Sequence, residues 1–301
     1  MGNIIRSFLI RKILTRHIWW WETHRNYPIR DQVFYFSPIA VNPEARNVLA
    51  VLTTANAISD AAWTVQSLLR YLPPDTGLLM VIDADLHGSQ IQALKELFPG
   101  IQLTSTLTLL EQLRSIAPKV AQLGDYHPLG RKLAAILILQ KQYNLVYSDS
   151  DVLCFREIPE IVNAIYEKSG LYIQDVVSVK TDPTVLNKVQ ILGLEYTPTI
   201  NTGFLCVPQN SLEVDLAEEI LNDINEPLKS WFCETTVLAV LMQQSQAKPL
   251  PKNRYVVSAQ RQFYFENDVD YEYIALRHFI TPVRHLMYLK GMPRLAQEWQ
   301  L

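Results

Sequence analysis

The stretch NLVYSDSDVLCF, residues 144–155, joins an apolar run of strand-forming residues to two aspartates separated by one serine. Residues two apart on an extended strand project to the same side, so Asp149 and Asp151 can direct two carboxylates at one point. Neighbouring carboxylates repel each other unless a cation lies between them, and Mg²⁺ and Mn²⁺ prefer oxygen ligands of this kind. The stretch therefore predicts a divalent-metal site at the end of a buried strand.

The sequence around this stretch alternates between strand-like and helix-like segments. Before it, apolar runs at 48–54, 77–83 and 100–106 alternate with helical patterns at 59–72, 89–98 and 128–142. Such alternation predicts an α/β fold with a mostly parallel central sheet flanked by helices on both faces, whose carboxyl edge is the usual ligand site. No linker or repeat divides the chain, so we expect one domain, residues 46–301, after an N-terminal extension, residues 1–45.

Composition excludes several classes of function. A net charge of −3 argues against a nucleic-acid partner. The ten glycines include no pair separated by a single position, which excludes both the GxGxxG fingerprint and the GxxxxGK[ST] phosphate loop. The three cysteines are far apart in apolar surroundings, which is typical of buried free thiols in a reducing compartment. We therefore expect a cytoplasmic protein.

A second pair, Asp83 and Asp85, follows another apolar run in LLMVIDADL. One interpretation is turn and helix-cap chemistry. The other is an aspartyl-phosphate phosphohydrolase, with Asp83 as nucleophile and Asp85 as acid/base. The surroundings favour Asp149 and Asp151 as the working pair, because a helix with basic residues precedes them, Pro159 opens a helix after them and an Asn-Thr-Gly block follows at 201–203.

Four short blocks occur in a recognisable order: YSDSDVLCFREIPEI (147–161), NTGFLCVP (201–208), WFCETTVLAVL (231–241) and HFITPVRH (278–285). Together they resemble the nucleotide-diphospho-sugar transferases of the GT-A fold, and most of all the family-eight-like retaining glycosyltransferases. The resemblance extends over residues 48–285. It implies a GT-A-like single domain with a smaller subregion on the acceptor side.

The resemblance also implies a metal and donor site. Asp151 would bind Mn²⁺ or Mg²⁺, Asp149 would contact the ribose, the donor sugar or the metal, and His278 would be a late metal ligand. His278 is followed by FITPVRH, which lacks the family's glycine and brings the basic residue one position late, as Arg284. His285 therefore stays open as the alternative ligand, and Arg284 is expected to contact the diphosphate.

The remaining site residues also come from the resemblance. Asn201 and Gly203 would form the floor beside the transferred sugar, and Glu234 would lie near the donor sugar or the acceptor. Glu234 can equally be a carboxylate favoured by the helix N-terminus. The residues implied for the nucleoside pocket are Thr53, Thr54 and Asn56, and those implied for neutralising the phosphates are Arg131 or Lys132.

These roles predict a glycosyltransferase that moves a hexose from a UDP-sugar to a hydroxyl of an unidentified carbohydrate, lipid or protein acceptor. Retention would place attack on the face that the diphosphate leaves, whereas inversion would need a carboxylate base, for which Glu234 is the first candidate. A sugar-nucleotide-binding protein without turnover is the non-enzymatic alternative.

The first 25 residues contain Trp19, Trp20 and Trp21 among scattered basic side chains. Charged residues interrupt this segment too often for a signal peptide or a spanning helix. It can pack on the body of the protein or on a partner, or it can contact a membrane surface peripherally.

Overall fold

The computed structural model describes residues 27–83, 86–175, 181–222, 224, 232–257, 269–280 and 283–299. Its strands are β1 (Asn47–Thr53), β2 (Gly77–Ile82), β3 (Gln102–Ser105), β4 (Asn144–Asp149), β5 (Val152–Cys154), β6 (Leu171–Gln174), β7 (Ile200–Val207), β8 (Lys248–Pro249), β9 (Tyr255–Val257) and β10 (Leu276–His278).

The α-helices are α1 (Ile58–Leu69), α2 (Gly88–Leu97), α3 (Thr106–Arg114), α4 (Pro118–Tyr126), α5 (Pro128–Leu139), α6 (Pro159–Glu167), α7 (Pro183–Ile191), α8 (Val214–Leu221), α9 (Cys233–Gln244), α10 (Arg284–Leu286) and α11 (Met292–Trp299). Pro28–Tyr35 and Ala55–Ala57 are 3-10 helices, and a π-helical turn, Met287–Gly291, joins α10 to α11.

The main sheet has seven strands in the order β3-β2-β1-β4-β7-β6-β8. The first four are mutually parallel, as the alternation of strands and helices predicts, so their carboxyl ends share one edge. β7 runs antiparallel to both β4 and β6. Its first residues therefore lie at the same edge as the last residues of β4 and β6. The mixed α/β fold with a mostly parallel central sheet is confirmed.

Both faces of the sheet are buried. Along β1, Leu49 and Val51 belong to one hydrophobic cluster, whereas Val48 and Ala50 belong to the cluster on the other face. This follows from the period of two along a strand. It also explains why the strands read as continuous apolar runs, which is typical of a sheet covered by helices on both sides.

A second, three-stranded sheet follows the order β5-β10-β9. β10 pairs with β5 in antiparallel register, so that His278 lies opposite Val152, and the backbone amide of Phe279 donates to the Asp151 carbonyl at 2.8 Å. This small sheet brings the end of β10 beside the Asp-Ser-Asp turn that follows β4.

The described residues before β1 pack against the sheet's helices. Val33 is fully buried, and the Trp63 indole of α1 donates to the Arg30 carbonyl at 2.8 Å. The backbone amide of Ile39 donates to the Leu97 carbonyl at the end of α2. The division into an extension, 1–45, and a catalytic domain, 46–301, stays a prediction.

Candidate metal and nucleotide site

Three potential metal ligands meet at the carboxyl edge of the main sheet. Asp149 is the last residue of β4, Asp151 lies in the turn into β5, and His278 ends β10. One ligand atom from each lies within 4.8 Å of the other two. The His278 Nε2 atom is 3.1 Å from Asp151 Oδ1 and 3.9 Å from Asp149 Oδ2. Small side-chain adjustments can place such atoms around a hard divalent ion, at about 2.1–2.6 Å from it.

A guanidinium completes this cluster. Arg284, at the start of α10, forms a charge-assisted hydrogen bond from Nη2 to Asp151 Oδ2. Burial alone would raise the pKa of Asp151, but the positive charges of Arg284 and His278 outweigh it and hold that pKa well below its usual range. The Asp151 carboxyl is therefore ionised at physiological pH, as a metal ligand must be.

A hydrogen bond on the side away from the aspartates fixes the orientation of the His278 ring. Its Nδ1 atom is 3.0 Å from Asn201 Oδ1, and that oxygen also accepts the Gly203 amide at 2.9 Å. An amide oxygen can only accept, so Nδ1 carries a proton, and Nε2, the atom that would lose its proton on binding a metal ion, faces the two aspartates. This arrangement is typical of a metal-binding histidine held by a second hydrogen bond.

Gly203 leaves the space that the imidazole occupies. A Cβ atom at this position would lie 2.1 Å from His278 Cε1 and 2.4 Å from Nδ1. Any side chain here would displace the ring from the aspartates. The Asn-Thr-Gly block therefore supports the histidine directly, through one hydrogen bond and one absent side chain.

Two carboxyl-edge residues were missed in the sequence. Asp175, directly after β6, accepts a hydrogen bond from Asn201 Nδ2 at 3.0 Å, which fixes which way the amide faces. Burial raises the pKa of Asp175. Tyr147 donates from its hydroxyl to Asp149 Oδ1 at 2.8 Å. Tyr147 could have been found, because it lies two residues before Asp149 on the same face of β4, whereas no local pattern marks Asp175.

Lys132 of α5 lies beneath Asp149, and only 3% of its side chain is exposed. Its Nζ atom is 3.2 Å from Asp149 Oδ2, 3.1 Å from Thr202 Oγ1 and 3.5 Å from Glu234 Oε1. Burial would lower the pKa of Lys132, but Asp149 and Glu234 raise it, and the net shift is upward. The ammonium is therefore charged, and all three of these neighbours are protein groups.

Glu234, in the first turn of α9, has 1% of its side chain exposed. Burial raises its pKa, and Lys132 opposes this only in part. Its second oxygen accepts a hydrogen bond from the Thr235 hydroxyl at 3.0 Å. The carboxylate is thus a buried partner of Lys132, one layer behind the metal ligands.

Arg131 points away from this group, towards β2. Its Nη1 atom is 2.7 Å from Asp83 Oδ1, which also accepts from the Thr106 hydroxyl at 2.7 Å. Asp83 is thereby engaged in a structural ion pair. Asp85, the other member of this aspartate pair, lies outside the described residues.

The residues predicted for the nucleoside pocket follow β1 at the same edge. Leu52 pairs with Asp149 across the β1–β4 ladder, so Thr53 and Thr54 come next to the aspartate turn. Asn56 lies in the 3-10 helix Ala55–Ala57, which leads into α1. Both chain segments therefore end at one corner of the sheet.

The membrane hypothesis concerns residues 1–25, which lie outside the described residues. Among the helices that the structure describes, none combines the length and the apolar character needed to span a bilayer.

Neither a protein-family model nor a curated protein sequence matches this chain. Solved structures do match it. Against the galactosyltransferase LgtC in complex with donor and acceptor sugar analogues, the TM-score is 0.53 at 12% identity, covering 84% of this chain and 95% of that one. Against mouse xyloside xylosyltransferase 1 in its apo form, the TM-score is 0.51 at 12% identity, covering 77% of this chain and 97% of the other.

The bifunctional glycosyltransferase WbbM is also similar, with a TM-score of 0.51 and 12% identity over 79% of this chain and 46% of WbbM. At such identities the likeness establishes a shared fold. The chain therefore has the GT-A glycosyltransferase fold that the four sequence blocks predicted.

Proposed function

We propose that this chain is a metal-assisted glycosyltransferase that moves a hexose from a UDP-sugar to an acceptor hydroxyl. The observation that carries the proposal is the meeting of Asp149, Asp151 and His278 at the carboxyl edge, with Arg284 beside them. This edge is where open α/β sheets bind ligands. The solved glycosyltransferases of the same fold support the reaction class.

The donor set fits a hard divalent cation. Two carboxylates and one imidazole, which would give up its Nε2 proton to the ion, offer oxygen and nitrogen ligands, and Asn201 already holds the imidazole with Nε2 facing the aspartates. We infer Mn²⁺ or Mg²⁺, held by Asp149, Asp151 and His278. Such an ion would act as a Lewis acid that stabilises negative charge on a departing diphosphate.

Arg284 has the chemistry to contact that diphosphate. Its side chain is 40% exposed, and its Nη2 atom bonds Asp151, so other donors of the guanidinium remain for a ligand. Lys132 is 3% exposed and faces protein carboxylates, so its proposed role is to fix Asp149 rather than to touch phosphate. Arg131 pairs with Asp83 and points away from the metal ligands, so we propose no contact with phosphate for it.

The buried position of Glu234 favours retention over inversion. A base for inversion must reach the attacking hydroxyl, but this carboxylate lies behind Lys132 with 1% of its side chain exposed. In the retaining reaction that we propose, the acceptor oxygen forms the new bond to the anomeric carbon on the face that the diphosphate leaves. The acceptor proton passes to an oxygen of the departing diphosphate, which balances the charge.

Nucleotide-sugar turnover is the direct test. The purified protein is incubated with Mn²⁺ and a panel of UDP- and GDP-sugars, and release of the nucleoside diphosphate is measured. We expect release from a UDP-hexose, its loss in Asp151→Asn, and its persistence in Asp85→Ala. Release that depends on Asp85 but not on Asp151, or phosphate release from simple phosphoesters without any sugar transfer, would contradict the proposal.

A further inference from the structure

A polar cluster lies behind the site, where the first described segment of the chain crosses α1. Asp60, in the first turn of α1, is buried. It accepts from Arg30 Nε at 2.7 Å and from Arg30 Nη2 at 3.1 Å, which makes a bidentate pair. The Tyr288 hydroxyl donates to Asp60 Oδ2 at 3.0 Å. A single carboxylate therefore joins two segments that are far apart in sequence.

Arg30 also reaches the loop that follows β1. Its Nη2 atom donates to the Asn56 carbonyl at 2.7 Å. The 3-10 helix Ala55–Ala57 has no side-chain cap of its own, and Thr54 before it is extended. Arg30 thus adds a charge-assisted hydrogen bond to the backbone of the segment that is proposed to line the nucleoside pocket.

Tyr288 connects the cluster to the segment that contains Arg284, the residue proposed to contact the diphosphate. It lies four residues after Arg284 in the helical segment that contains α10, and its ring stacks on Tyr27 with centroids 4.6 Å apart. The Arg284 guanidinium bonds Asp151. Asp60 therefore connects the two segments proposed to bind the nucleotide: the loop after β1 through Arg30, and the π-helical turn that follows α10 through Tyr288.

We propose that Arg30, Asp60 and Tyr288 form a brace that holds the loop after β1 and the Arg284 segment at the correct separation for a nucleoside diphosphate. Arg30 and Asp60 are then positioning residues for donor binding, although they touch no donor. This inference rests on the proposed function. It assigns a role in the site to residues 27–35, which precede the first strand of the sheet.

The chemistry of the cluster indicates that it positions the loop after β1 rather than stabilising the fold. Apolar residues of similar volume often replace a buried ion pair at no cost to stability, so such a pair is weak evidence of stabilisation. Here the surroundings could supply them, because Phe36, Trp63 and Trp299 pack together in the same region. Apolar packing cannot fix the Asn56 carbonyl, which needs a donor.

The test compares Arg30 with Arg70, which caps the C-terminal end of α1. Arg30→Met removes the brace, whereas the control Arg70→Met removes a guanidinium that lies 4.3 Å from the Trp299 ring and has no contact with the loop after β1. The Kd of UDP in the presence of Mn²⁺ is measured by calorimetry, with thermal unfolding in parallel. We expect Arg30→Met to raise the Kd about 2- to 30-fold, the span usual for residues that act through others. Arg70→Met should leave it unchanged.

Conservative variants separate positioning from folding. Arg30→Lys keeps the positive charge but loses the planar guanidinium that bonds Asp60 bidentately, so its Kd should lie between those of the unchanged protein and Arg30→Met. Tyr288→Phe removes only the hydroxyl and gives the same test if Arg30→Met fails to fold. Turnover should show a raised KM for the donor with a smaller change in kcat.

The outcomes distinguish the two proposals. Equal UDP affinity in the unchanged protein, Arg30→Met and Tyr288→Phe would overturn the brace and leave the proposed function standing. Failure of the unchanged protein to bind any nucleoside diphosphate with Mn²⁺ would overturn the proposed function and the brace with it.

Discussion

Gly203 shows how a single missing side chain shapes the metal cluster. The His278 ring fills the volume that a Cβ atom would take, and the amide of Gly203 bonds the same Asn201 oxygen that orients this ring. The glycine is therefore required for close approach, with no left-handed backbone conformation involved. The resemblance implies that Asn201 and Gly203 form the floor of a sugar pocket. In the structure, both residues contact the ring of His278, which is distant in sequence.

Gly203→Ala should therefore weaken metal binding. The new methyl group, 2.1 Å from Cε1, must push the imidazole away from Asp151. We expect the Kd for Mn²⁺ to rise about tenfold or more, as for changes that disturb the support of a metal ligand. Electron paramagnetic resonance of free Mn²⁺ measures this directly. Gly88→Ala is the matched control, because a Cβ at Gly88 meets nothing within 4 Å. Equal affinity in both variants would show that the ring adapts.

At the scale of elements, the sequence predicts the parallel half of the sheet closely. β4 occupies residues 144–149 as expected, and α5 begins at Pro128 as expected. The helical spacing of apolar residues identifies α5, and the short, bounded apolar run identifies β4 as a buried strand. β5, β9 and β10 have three residues each, too few for any period, and their pairing depends on contacts distant in sequence. The aspartates could therefore be found from the sequence, but not the contact between Asn201 and Asp175.

Lys132 connects four elements, because it lies on α5 and contacts Asp149 of β4, Thr202 of β7 and Glu234 of α9. Lys132→Met should leave Glu234 without its buried cation. We expect a loss of about 3–5 kcal/mol in the free energy of unfolding, the usual cost of breaking a buried pair on one side. Urea unfolding measures it.

The control is Lys141→Met, at an exposed lysine just after α5. Its effect should stay within about 0.5 kcal/mol. Lys132→Met combined with Glu234→Gln should recover part of the loss, because no unpaired charge then remains at Glu234. A double variant no more stable than the single one would show that the lysine matters for Asp149 alone.

At the scale of the whole molecule, thiols buried in the hydrophobic core influence how the protein responds to alkali. Cys154 and Cys206 are fully buried, and burial raises the pKa of each thiol to about 12. An unfolded cysteine ionises at about 8.5. Their contribution to stability is therefore complete below about pH 8.5 and is lost as the pH rises towards about 12, because only the unfolded chain releases the protons there.

Each of these thiols should lower the free energy of unfolding by about 1.4 kcal/mol for every pH unit above about 8.5. Urea unfolding over a series of alkaline pH values measures the slope. Cys206→Ala should be less stable below about pH 8.5 because of the cavity it creates, and its slope above that pH should be shallower by about 1.4 kcal/mol per pH unit, the contribution of one thiol. An unchanged slope would show that Cys206 does not titrate differently in the two states.

The pairing of β10 with β5 has a consequence for biosynthesis. Asp149 and Asp151 leave the ribosome long before His278, and the three meet only through the register that sets His278 opposite Val152. A nascent chain that ends before β10 carries two aspartates without the imidazole or the Arg284 guanidinium. If the site binds a metal ion as proposed, the complete set of ligands would exist only once β10 has docked against β5.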